Sequence, residues 1–362
     1  MESPLTSSRV SSQSQDRIEY AEPKPPASQT RGHVVSTLRG SKVFIPDLQS
    51  LVSHWPAAVH PEVDRLETYV QATLDSIFDD AKDQKRLRKT ESYKSALFGA
   101  SWWPYATWEG LCVGTLLSMW LFVWDDETDS DEFSSLIEDF NAASVFRQRT
   151  LQYLQSTLSK GHTSSSLAEI STNPIITCFR SVGETISKSY NDDQTKRFLK
   201  ELRFFIAMTE EEHRFQRTEE LPTVEEYTRR RMGSSAVRVC LAITEFANGL
   251  AIPTGVMESE AMETIWNETN LVISVMNDIL SLKKEMNQSQ VDTLIPLLFV
   301  ELQSAQGAVD NAVAALRASI ERFETAERHI VSSHASNPEL QLRLGKFIDG
   351  CKYAVTANLN WR

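Results

Sequence analysis

Residues that punctuate a chain are scarce here. Glycine and proline number 13 each among 362 residues. That is too few for the many turns of a multi-stranded sheet, and it favours long helices with few connections. Positive charge is also in deficit: 37 Lys and Arg stand against 49 Asp and Glu, a formal net charge of −12. A nucleic-acid partner is thereby excluded, since the basic footprint is missing. An anionic substrate is not, because bound divalent cations can reverse the local field. Cysteine is limited to Cys112, Cys178, Cys240 and Cys351, widely spaced and with no C-x-x-C pair. These read as reduced core residues of an intracellular protein. No apolar run reaches the ~20 residues of a membrane span. The most apolar stretch, Leu111 to Trp124, runs straight into acidic residues and reads as a buried helix. The N-terminus lacks the apolar core of a secretory signal, so the expected compartment is cytoplasmic. Also missing are G-x-G-x-x-G, a Walker A loop, H-E-x-x-H and any His/Cys zinc spacing, which removes the common nucleotide and zinc classes.

What is present is ordinary globular material, 41 % hydrophobic and 24 % charged. Residues 1–42, rich in Ser, Gln, Pro and Arg, read as a disordered leader. Val43 to Pro56 reads as an entry segment anchored by buried Phe44, Ile45 and Trp55. From Pro61 onward, Val63, Leu66, Val70, Leu74 and Ile77 recur at three- and four-residue spacing, the stripe of an amphipathic helix. Helical patterning returns over 106–125, 132–157, 174–190, 194–213, 223–250, 259–286, 294–334 and 338–360. Ser164 to Ser166 read as a loop. Thr223 with Glu226 three residues on has the form of a capping box. With no convincing strand and no repeat, the pattern predicts an all-α bundle.

Two polar motifs stand out. Asp125 and Asp129 share one helical face at the end of an almost uncharged helix. Like charges at that spacing repel and oppose the helix dipole, and a divalent cation held by carboxylate oxygens would compensate them. A solvated helix end is the alternative, since Asp131 and Glu132 continue the acidity. In the second motif, Asn277, Ser281 and Glu285 are spaced i, i+4, i+8. They form one stripe over two turns, about 12 Å along the axis. An amide oxygen, a hydroxyl and a carboxylate are hard ligands suited to Mg²⁺, although polar residues near a helix end could also be just that. Each motif follows a buried helix, so facing one another they would hold cations over an apolar pocket. On the face of Asp125 lie Phe122, Leu121 and Ser118; on that of Asn277 lie Ser274, Ile273 and Asn270. Phe122 is the expected pocket wall. Trp102, Trp103, Trp108, Phe204 and Phe205 read as core packing.

Asp125-Asp126-x-x-Asp129 followed by Asn277-Asp278-x-x-Ser281-x-x-x-Glu285 resembles the paired metal motifs of microbial class I terpene synthases, with the flavour of the fungal sesquiterpene synthases. The resemblance spans about residues 43–361 and takes in Pro46-Asp47-Leu48, Glu225-Glu226-Tyr227 and Asn358-Leu359-Asn360-Trp361. It implies a single all-α domain over 43–362, a helical bundle enclosing an apolar active-site cavity. It implies ionisation and cyclisation of a prenyl diphosphate, farnesyl diphosphate by size, with geranyl and geranylgeranyl diphosphate open. It implies Mg²⁺, three ions, with Mn²⁺ as an alternative, held by Asp125, Asp129, Asn277, Ser281 and Glu285. Arg231, 46 residues before Asn277, is the implied diphosphate sensor, although Arg229, Arg230 and Arg231 could also form a surface cluster. Lys284 is the next cation. Met232 to Ala236 is small and weakly helical. The resemblance implies a helix break there beside the substrate, with Ser235 in it; close helix packing is the alternative. Association into a homodimer is left open. The family's chains usually continue past the Asn-x-x-Trp region to an Arg-Tyr pair that helps close the site. This sequence stops at Trp361-Arg362, which leads to the expectation of a looser lid that admits water. Two competitors are a chain-elongating prenyl synthase, which carries two Asp-rich motifs, and a non-catalytic helical scaffold.

Overall fold

The computed structural model describes residues 30–78, 84–129, 134–161 and 163–361. Among these every regular element is a helix. Thirteen helices matter for the site: α1 (Arg31–Leu38), α2 (Val63–Ile77), α3 (Gln84–Ser92), α4 (Ser95–Trp102), α5 (Trp108–Asp129), α6 (Phe140–Leu158), α7 (Asp192–Gln216), α8 (Val224–Ser234), α9 (Val237–Leu241), α10 (Glu260–Asn287), α11 (Leu294–Leu302), α12 (Ala305–Ser333) and α13 (Pro338–Trp361). The centre of the bundle is α5. It is apolar on all sides, with Leu111, Leu117 and Trp124 fully buried, as a helix surrounded by others must be. Around it stand α4, α7 and α9, while α10 packs on α9, α12 and α13.

Caps fix where several helices begin. Thr223 and Glu226 form the expected box, the Thr223 hydroxyl accepting from the Glu226 amide and the Glu226 carboxylate accepting from the Thr223 amide. Asn191 with Gln194 does the same for α7. The Asp139 side chain caps α6, which therefore starts eight residues after the predicted 132.

Other boundaries also differ from the periodicity. The 294–334 pattern breaks at Gln303, in the left-handed region (φ 52°), and Ser304 caps a new helix. Ser164 to Ser166, expected as loop, open a short helix, Ser164–Ile170, because Thr163 and Ser166 form a capping box. Of the entry-segment anchors, Trp55 is buried. Phe44 and Ile45 are 72 % and 36 % exposed, so they are not anchors; the Phe44 amide and carbonyl instead engage the Gln306 side chain. Finally, Arg31–Leu38 forms a helix with Val34 and Leu38 buried. Packed structure therefore begins ahead of the boundary drawn at 42, while residues 1–29 lie outside the described part.

Candidate active site

A cavity of about 440 Å³ opens between the ends of α5, α8, α10 and α13. Phe122, Asp125, Arg231, Ser235, Asn277 and Lys284 all line it. Residues up to 162 positions apart in the chain are thus brought to one chamber by two long helices and a short broken one.

Its lining is mixed, with polar groups beside a cluster of aromatic rings. Phe122 stacks on Trp361 at 5.6 Å with an interplanar angle of 13°. Phe98 meets both rings, at 5.6 Å and 5.1 Å, and Trp102 lies 4.9 Å from Phe98. The Trp361 indole N–H donates to the Tyr93 carbonyl at 2.6 Å, which pins the end of α13 across the mouth. Trp102 and Phe205, expected as plain core, line the cavity as well as being buried. Burial against other helices and exposure to an internal cavity leave the same apolar signature in a sequence, so the two roles were indistinguishable there.

At one side of the mouth stands the acidic end of α5. The Asp125 side chain is part-buried and faces the cavity. Asp126 is drawn aside by α3: the Lys89 ammonium donates to its Oδ1 at 3.0 Å and the Tyr93 hydroxyl donates to its Oδ2. Glu127 pairs with Arg86 at 2.6 Å. A basic helix therefore compensates Asp126 and Glu127, the neighbours of the Asp125/Asp129 pair. Lys89 and Tyr93 were missed as site residues; nothing in the strongly polar run of α3 marks which helix it serves. Asp129 closes α5, and its side chain lies outside the described part, as do Asp131, Glu132 and Arg362.

At the other side runs a polar stripe along α10. The Ser281 hydroxyl donates to Glu285 Oε1 at 2.5 Å, and the Thr293 hydroxyl donates to Glu285 Oε2 at 2.7 Å. Glu285 is 8 % exposed. No cationic side chain lies within ion-pair distance of it among the described residues. A buried carboxylate served only by hydroxyls, in line with a hydroxyl and an amide oxygen, suits a hard divalent cation. Among the described residues no three His, Cys, Asp or Glu side chains converge; Asp125 and Asn277 line the main cavity, whereas Ser281 and Glu285 do not, and Glu285 lines a neighbouring one.

Arg231 lines the main cavity and two smaller neighbours. One guanidinium nitrogen donates weakly to Asn277 Oδ1 at 3.4 Å and lies 3.8 Å from Asp278 Oδ1. Its Nε is buried with no hydrogen-bond partner among the described residues. Asp278 does not line the main cavity but the neighbouring one of about 390 Å³; it is buried and accepts from the Tyr227 hydroxyl at 2.5 Å. Burial raises its carboxyl to about 6 against the lowering pull of Arg231 and Tyr227. Of the two neighbouring arginines, Arg229 pairs with Glu211 at the surface, and Arg230 is buried 5.0 Å from the Phe215 ring. The contiguous basic run is thus split three ways, one residue to each environment.

Beyond Arg231 the helix breaks. Ser235 ends it, Ala236 takes left-handed angles (φ 58°, ψ 4°), and α9 begins at Val237. Both readings of the small residues hold. A Cβ on Gly233 would meet Met208 Cγ at 2.4 Å, so α7 and α8 pack closely there. The Ser235 hydroxyl donates to Asn270 Oδ1 at 2.7 Å, and the Asn270 amide donates to the Met232 carbonyl at 2.6 Å. Ser274 and Ile273 line the cavity as their face predicted, whereas Asn270 instead clamps the break.

Residues 117–322 match the model of terpene synthase family 2, C-terminal metal binding. The chain belongs to that family. It is 33 % identical over 327 residues to the sesquiterpene cyclase hepA of Aspergillus oryzae, covering 88 % of this chain and 86 % of that protein. In structure it resembles a protein obtained by ancestral sequence reconstruction, with TM-score 0.72, 19 % identity and 89 % of each chain covered. It also resembles the linalool/nerolidol synthase of Streptomyces clavuligerus solved with 2-fluorogeranyl diphosphate, with TM-score 0.69, 18 % identity, and 89 % of this chain and 98 % of that one covered. The terpene synthase fold expected from the two motifs is therefore the fold of this chain, and family membership makes it an enzyme that uses a divalent metal. Among the described residues no helix is long and apolar enough to cross a membrane.

Proposed function

We propose that this terpene synthase ionises farnesyl diphosphate and cyclises the allylic cation to a sesquiterpene, releasing diphosphate. The observation that carries the reading is Arg231. Its guanidinium, whose buried Nε has no hydrogen-bond partner among the described residues, lines the same aromatic-walled cavity as Asp125 and Asn277. Arg231 would grip the diphosphate through its planar fork, and Lys284 would add a point charge from the rim. Asp125 and Asp129 would hold cations on one side and Asn277, Ser281 and Glu285 on the other. Three Mg²⁺ ions, or Mn²⁺ in their place, would neutralise charge developing on the departing diphosphate.

The chain's own groups account for the rest. The faces of Phe122, Phe98 and Trp361 offer quadrupoles to a migrating cation. Together with Leu121, Phe205 and Ile273 they exclude the water that would capture it. Ser235, bonded to Asn270, would hold the helix break against the substrate. The sesquiterpene size class follows hepA, a sesquiterpene cyclase by name. Cytoplasmic action is in keeping with four free cysteines.

The test is direct incubation with farnesyl diphosphate and Mg²⁺, followed by extraction of volatile products. A cyclic sesquiterpene with stoichiometric diphosphate is expected, and none of it in excess EDTA. Chain-lengthened diphosphates would assign an elongating synthase instead, and no conversion would leave a scaffold.

A further inference from the structure

The N-terminal helix α1 lies outside the stretch matched by the family model, yet Arg31 at its start and Arg39 just past its end reach the surroundings of Glu285. Arg31 makes four contacts there. Its Nη1 pairs with the Asp292 carboxylate, and its Nε donates to the Thr218 carbonyl at 2.8 Å. Its Nη2 donates to the Phe215 carbonyl at 2.9 Å and to the Glu220 carbonyl at 3.3 Å. One guanidinium thus ties the C-terminal end of α7 to the loop between α10 and α11. Arg39, just past α1, donates to the Met286 carbonyl and the Ser289 hydroxyl, both at 3.1 Å. That places a cation on the last turn of α10, where the helix dipole favours one.

Both anchors bracket Glu285. Met286 is its neighbour. Asp292 adjoins Thr293, whose hydroxyl holds Glu285 Oε2 at 2.7 Å. Arg31, Glu285, Asp292 and Thr293 share the wall of one cavity of about 390 Å³ beside the main chamber. Ser289 lies in the left-handed region (φ 60°), a conformation disfavoured for a residue with a Cβ, so the loop keeps its course only while something holds it.

We propose that Arg31, assisted by Arg39, is a positioning residue for the Glu285 carboxylate, acting through Asp292 and Thr293. The proposal rests on reading Glu285 as a cation ligand. Partners that orient a ligand typically cost about 10–100-fold in metal affinity when removed.

The experiment titrates Mg²⁺ against the full chain at fixed inorganic pyrophosphate and reads the rise in melting temperature, alongside steady-state turnover. Arg31→Ala should raise the Mg²⁺ concentration for half-maximal stabilisation by about tenfold. Arg31→Lys should fall between, because it keeps the charge but loses the fork. Asp292→Asn, which cuts the same link from the loop side, should shift the midpoint in the same direction, and the double variant should lose no more than the larger single effect. A melting temperature lowered without metal but an unchanged Mg²⁺ midpoint would make Arg31 a brace for α1 alone and overturn the proposal. Glu285→Ala separates the two layers. If it leaves the midpoint unchanged, the ligand reading fails and takes the proposal with it. If it moves the midpoint while Arg31→Ala and Asp292→Asn do not, only the positioning role fails.

Discussion

Single residues carry the recognition of charge, and here the three consecutive arginines are instructive. Their order in sequence says nothing of their fates. One turn of helix sends Arg229 to a surface pair with Glu211, Arg230 into an aromatic sandwich, and Arg231 into the cavity. The spacing from Asn277 that the family resemblance implies singles out Arg231, the one of the three that lines the cavity. Repulsion between Asp125 and Asp129 said nothing of Asp126 beside them, which Lys89 and Tyr93 hold from outside α5. The resulting prediction is specific. Arg231→Lys keeps a cation but loses the bidentate geometry, so kcat/KM should drop by about two orders of magnitude, the cost typical of removing one preorganised donor. Arg229→Ala should stay near wild-type turnover. Loss of activity in Arg229→Ala with full activity in Arg231→Ala would reverse the assignment.

At the scale of elements, helix existence was legible and helix interruption was not. Apolar periodicity runs on through 223–250 and 294–334, so nothing in the pattern reports that Ala236 and Gln303 take left-handed angles. The first interruption was reached only from its run of small residues. What keeps α9 in place after the break is a buried ion pair. Arg238 donates to both Glu201 oxygens of α7, at 2.8 Å and 3.0 Å, and to Asn267 of α10 at 2.7 Å. The Glu201 side chain is only 2 % exposed. Removing one partner leaves a buried charge uncompensated, which costs about 3–5 kcal/mol. Arg238→Ala should therefore shift the urea midpoint strongly. Because α9 carries Val237 and Cys240 into the cavity wall, the product profile of whatever enzyme remains folded should change too. A midpoint within error of wild type would show that packing alone fixes α9.

Across the whole molecule, the same joints that assemble the cavity also set its response to acid. His213 links three parts of the bundle. Its Nε2–H donates to the Ile137 carbonyl at 2.7 Å, and its Nδ1 faces Arg147 Nη1 at 3.3 Å as an acceptor. The Nδ1 contact requires neutral imidazole, whereas the donation from Nε2 survives protonation. Burial lowers its pKa below 6.5, the Ile137 carbonyl pulls it up, and Arg147 and Arg217 press it down against Glu210. Asp125 and Glu212 line the same small cavity. A depressed histidine pKa means that the unfolded chain takes up the proton first as pH falls through 6.5. The folded state thus loses stability on acidification over the window from 6.5 down to the folded value. Asp278, raised by burial to about 6, acts in the opposite sense, since a carboxyl that binds its proton more readily when folded gains stability over part of that range. The informative quantity is therefore the difference from His213→Gln, whose amide can still donate to Ile137 and accept from Arg147 but does not titrate. Urea midpoints measured about one unit either side of pH 6.5 should fall more steeply for the wild type than for this variant. Equal slopes would mean that His213 is charged in the folded protein, and that Arg147 turns elsewhere to let it be.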